Sequence, residues 1–259
     1  MCIDGMGMSD LAMNRLVPGP SQWPEYWSWA RGSFDLTDDS WNAAGALQPW
    51  RGSLPYCKMI HSIYLLTYGL SDNYAQQWHA QSDYRATGQA ASSRYHGRID
   101  YRFNNDHSGE ARAFTGQIGR DHTKMRCQSF NAGGTPDGPA NRAGVMVHES
   151  WHHWQHKYDW STDHESGGAI TAPSGDWYYR HSVSAFDFGA LAGIDLGATP
   201  IKFHSPYQIH VEWLADIAEY PQSFVPVVVR DEARAMGNNR LPRTFKNKTS
   251  YRIGDPRPF

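Results

Sequence analysis

Apolar and polar positions recur along this chain with two different periods, and the change of period marks its elements. Over residues 56–69, Met59, Ile60, Ile63, Tyr64 and Leu66 return at three- and four-residue steps, which predicts a helix closed by Gly69. Residues 72–87 continue as a more polar helical stretch. From 94 to 130 the step shortens to two: Tyr95, Ile99, Tyr101 and Phe103 precede Asn104-Asn105-Asp106, and Phe114, Ile118, Met125 and Cys127 follow. That alternation predicts an antiparallel hairpin or meander. Residues 131–141, rich in Gly and Pro, read as a loop, as does most of 159–205. Helical spacing returns over 206–219 and again over 224–236, where Pro226 falls in the first turn.

The most informative helix lies between those loops. It reads Val145-Met146-Val147-His148-Glu149-Ser150-Trp151-His152-His153-Trp154-Gln155-His156. At about 100° per residue, Val147, Trp151, Trp154 and Tyr158 form one narrow stripe and His148, His152 and His156 form another. One side of this helix is built to pack, and the other carries imidazoles.

Composition narrows the function classes. The chain of 259 residues is 40% hydrophobic and 19% charged, and 11 Trp with 14 Tyr supply much of the apolar mass. It reads as one folded catalytic unit at residues 56–259, preceded at 1–55 by an irregular Trp/Gly/Pro-rich arm. Trp23, Trp27, Trp29, Trp41 and Trp50 are read as anchors of that arm; the alternative is a ring platform for stacking sugars.

A formal charge of −2 offers nucleic acid no basic face. No apolar run reaches the roughly 18 residues of a membrane span, since 59–70 is interrupted by His61, Ser62 and Thr67. Cys57 and Cys127 leave a disulfide open without a spacing that argues for it. Few Lys and many Trp, Tyr, Asn, Ser and Gly suggest an extracellular or periplasmic setting, although Met1-Cys2-Ile3-Asp4 carries no targeting signal.

The chemistry sits in His148-Glu149-Ser150-Trp151-His152, an H-E-x-x-H. Residues four apart stand one turn above each other, so both imidazoles reach one zinc ion at about 2.0–2.1 Å. Glu149, rotated by about 100° from His148, is placed beside the metal, where a carboxylate accepts a proton from an attacking water.

On this motif the chain resembles the zincin metallopeptidases. The resemblance spans this helix and one downstream helix. The metzincin extension is absent, because Gln155 and Tyr158 stand where that pattern has Gly and His. The gluzincin pattern fits better: Glu212-Trp213-Leu214-Ala215-Asp216 matches its E-x-x-A-[DE] setting.

The resemblance implies an α+β, zincin-like fold with an active-site helix, a small antiparallel sheet and a downstream helix carrying the third ligand. It implies Zn2+ held by His148, His152 and Glu212, with Asp216 steadying a zinc-bound histidine from behind. Glu212, Asp216 and Glu219 share one stripe of a largely apolar helix, and buried carboxylates need a positive partner. Glu219 and His156 remain competing ligands.

For the hydrogen-bond donor that zincins aim at the developing oxyanion, Tyr207 leads, with His210, Tyr178 and Tyr179 as alternatives. The expected activity is hydrolysis of a peptide or protein substrate. A glycan- or ligand-binding protein with non-catalytic histidines, and a zinc hydrolase of a non-peptide bond, are the alternatives.

Overall fold

The computed structural model describes residues 6–36, 41, 54–69, 100–104, 113–115, 122–130, 138–158, 206–219, 224–244 and 252–255. Its elements, in chain order, are α1 (Met8–Leu16), α2 (Pro24–Ser33), α3 (Pro55–Tyr68), β1 (Asp100–Asn104), β2 (Ala113–Thr115), β3 (His122–Arg126), a short 3-10 turn (Cys127–Phe130), α4 (Pro139–Tyr158), α5 (Pro206–Glu219) and α6 (Val227–Thr244). The stretches 72–87 and 159–205, with Tyr178 and Tyr179, lie outside the described residues, as does Trp50.

Among its described residues the N-terminal segment, expected to be irregular, holds the helices α1 and α2. Pro24 opens α2 at a position where a helix has no use for its N–H, and α1 precedes it. The chain here lacks a sustained apolar period because aromatic rings fasten it to the body. Trp23 stacks on Tyr26 with ring centres 4.5 Å apart, and both meet Tyr64 and Tyr68 of α3. The Trp27 indole N–H donates to Pro18 O at 2.8 Å. Trp23, Trp27 and Trp41 are buried, so these rings belong to the core and offer no platform to a sugar.

Helix α3 matches its expected span and closes at Gly69, whose N–H donates to Leu65 O at 2.8 Å. This glycine's φ of −57° is right-handed, so it is no left-handed cap. A Cβ there would lie 2.6 Å from Ile217 Cδ1 of α5 and from the backbone oxygen of Leu65, which cannot yield as a side-chain tip can, so the position favours glycine. Cys57, in the same helix, is a buried, reduced thiol whose pKa burial pushes up to about 12.

The sheet is mixed, which corrects the expected antiparallel one. Its order is β1-β3-β2: β3 pairs with β1 in parallel, Asp100 opposite His122, and with β2 in antiparallel fashion, Ala113 opposite Met125. Alternation of side chains is identical for both pairings, so the sequence pattern carries no information on strand direction.

Helix α4 begins at Pro139, inside the span expected to be loop, because proline is pre-set for the first helical position. Helix α6 continues past 236 to Thr244, since Leu241 is buried with the core and rewards further turns. Pro226 precedes it, and its carbonyl accepts from Arg230 N–H at 3.1 Å. No helix among the described residues is long and apolar enough to cross a membrane.

A buried polar layer fastens α1, α3, α4 and α6 together. Arg142 of α4 donates from both terminal nitrogens to the two Asp10 carboxylate oxygens, from Nε to Ser62 Oγ at 3.2 Å, and to Ser129 O. His61 Nδ1 lies 3.2 Å from Asp10 Oδ1, and Lys58 donates to Phe130 O.

On the other side of the same turn of α4, Glu232 Oε1 accepts from Asn141 N–H at 2.9 Å, and burial pushes this carboxyl up to about 7. A carboxyl whose pKa rises on folding keeps its proton in the folded chain while the unfolded chain ionises. Stability therefore falls as pH climbs from the ordinary glutamate range to about 7, by roughly 3 kcal/mol in all. Glu232→Gln is expected to remove that decline. The check is the difference in urea midpoints between wild type and variant at pH 5 and pH 8. Taking the difference cancels the opposite slope from His61, whose burial holds its pKa below the ordinary value.

Candidate metal centre

His148 and Glu149 lie mid-way along α4, after a run of buried residues from Ala140 to Val147, and both are buried. A helix with apolar surroundings on this scale holds its imidazole and carboxylate away from bulk water, which strengthens any charge interaction they make. His152 and His156 follow in the same helix, but their side chains lie outside the described residues.

Helix α5 packs against α4, and its first turns meet His148. The Tyr207 ring centre is 5.0 Å from that of His148, and the His210 ring centre is 5.9 Å away at an interplanar angle of 74°. His210 is fully buried, and neither of its ring nitrogens has a hydrogen-bond partner among the described residues. Burial, with the charge of Arg240 adding to it, holds its pKa well below the ordinary histidine value. Its ring rests on the backbone of α4: a Cβ at Gly144 would lie 2.2 Å from His210 Nε2. Glycine at 144 is what lets the ring reach that depth beside His148.

Of the expected site residues, the structure thus brings Tyr207 and His210 to His148. Glu212 lies in α5, with its side chain outside the described residues, and Asp216 is buried on the same helix. The competing ligand Glu219 is engaged elsewhere, since its Oε1 accepts from Gly254 N–H at 2.7 Å. The end of α5 is capped by α6: Arg230 donates from Nε and Nη2 to Ala218 O at 3.2 and 3.0 Å, satisfying a terminal carbonyl.

Among the described residues no three His, Cys, Asp or Glu side chains converge closely enough to hold a metal ion. That set contains neither His152 nor Glu212. What the described residues offer a zinc ion is a buried imidazole, His148, beside a second whose nitrogens are orphaned, with a carboxylate one residue from the first. Nitrogen donors of this kind suit zinc.

The Asp10, His61, Arg142 and Glu232 layer was not visible to sequence reasoning. The available signal was Arg142 itself, a charge among Ala140, Ala143, Val145 and Met146, which requires a buried partner. No family model, curated protein or solved structure matches the chain.

Proposed function

We propose that the chain is a zinc-dependent hydrolase acting on peptide bonds. The ion is held by His148 and His152 of α4 and by a ligand from α5, for which the gluzincin resemblance nominates Glu212. The observation that carries the reading is the junction of the two helices: buried His148 of α4, next in sequence to buried Glu149, lies beside Tyr207 and His210 of α5.

When bound, zinc polarises the scissile carbonyl and acidifies its water. Glu149 takes the proton from the attacking water and passes it to the leaving amine. Tyr207, whose ring lies beside that of His148, is the proposed hydroxyl donor for the developing oxyanion. Asp216 is the acid proposed to steady a ligand histidine through its second ring nitrogen. An extracellular or periplasmic setting accords with this activity.

The test combines metal analysis with digestion. Purified protein is expected to hold one zinc per chain after reconstitution and to cleave members of a peptide library. Chelator should stop cleavage and added zinc restore it, and His148→Ala should lose both metal and activity. A chain that takes up no zinc rules the reading out. A zinc-loaded chain that cleaves esters or glycopeptides but no peptide narrows the substrate to those bonds.

A further inference from the structure

We propose that His210 is the group by which α5 holds the metal. The inference rests on the zinc reading above and concerns the identity of its third ligand.

Its first support is the ring itself. A fully buried imidazole with neither nitrogen bonded among the described residues is unfavourable unless something occupies a lone pair. A side chain serving only to fill that volume would do better as leucine or phenylalanine. Its second support is spacing. Two imidazoles that each stand about 2.0–2.1 Å from one tetrahedral zinc place their ring centres about 5 Å apart, with the planes free to be steeply inclined. His148 and His210 stand at 5.9 Å and 74°, so an approach of under about 1 Å would let both reach one ion.

The third support is the direction of helical side chains. They lean toward the N-terminus, so the ring at 148 reaches back over the turn that begins at Gly144. That turn is where the His210 ring rests.

The same geometry bears on position 212. Helical rotation sets it about 200° around the α5 axis from position 210. Position 212 instead shares its stripe with Glu219, whose carboxylate binds the backbone of the 252–255 turn. A ligand set of three neutral imidazoles also leaves the full double charge on the ion, which favours strongly polarised or anionic oxygen in the substrate.

Three measurements on the full chain decide the matter. X-ray absorption of the zinc-loaded wild type is expected to require three imidazoles; two imidazoles with a carboxylate overturn the proposal, and this reading needs no variant to fold. His210→Ala is expected to weaken zinc at least about a hundredfold, beyond the effect of losing a supporting residue, while Glu212→Ala changes it by less than about tenfold. The reverse order overturns the proposal and leaves the hydrolase reading intact with Glu212 as ligand.

Cobalt-loaded His210→Cys is expected to gain a near-ultraviolet thiolate-to-cobalt charge-transfer band that wild type lacks; a folded variant without it counts against ligation. Failure of the wild type to take up any zinc is a failure of the underlying reading instead.

Discussion

Glu149→Gln is expected to leave zinc content unchanged and to lower kcat by about 10²- to 10⁴-fold, the usual worth of a positioned general base. Glutamine keeps the shape and hydrogen-bonding reach of the side chain but cannot accept a proton. The buried position of Glu149 makes the loss hard to compensate, because bulk water does not readily replace an enclosed base. Kinetics on zinc-loaded protein, with metal content measured on the same sample, separate lost chemistry from lost metal. A variant with full zinc and full turnover would remove Glu149 from the mechanism. A variant that loses zinc would assign Glu149 to holding the metal.

Asp10→Ala should destabilise the fold by about 3–5 kcal/mol, because it strands the Arg142 guanidinium in the core. Burial alone pushes the Asp10 carboxyl upward, but the charge of Arg142 and the hydrogen bond from His61 outweigh it and hold the group well below the usual aspartate range. A carboxyl depressed on folding contributes stability that is fully present above the unfolded value, near 3.9, and lost as pH falls below it.

The variant should therefore differ most from wild type at neutral pH, with convergence in acid. Thermal denaturation reads the loss as a drop in Tm of roughly 10 °C. Pairing the change with Arg142→Met should recover most of it, since removing both charges leaves none unpaired. An undiminished Tm in the single variant would mean that the ion pair does not stabilise the fold. Because Arg142 lies less than two turns before His148 on α4, the network also holds the helix that carries His148 and Glu149 against α1 and α3.

The sequence by itself determined the helices at 56–69 and 206–219, because their apolar residues recur at helical steps and proline stands at both starts. It also nominated His148 and His152, with Glu149 beside them, as candidate site residues, because a local four-residue spacing of imidazoles carries its own chemistry. Tertiary structure alone decided the rest. Strand direction depends on which partner a strand meets, so alternation could not foresee β3 running parallel to β1.

The described residues of the arm at 1–55 include helices α1 and α2, and aromatic contacts with α3 rather than periodicity hold α2 in place. The Arg142 network joins residues as far apart as Asp10 and Arg142, whose pairing no local pattern encodes. Which residue of α5 faces His148 is likewise a matter of how one helix is rotated against another. A stripe of acids reveals that a face exists, and only packing reveals where that face points.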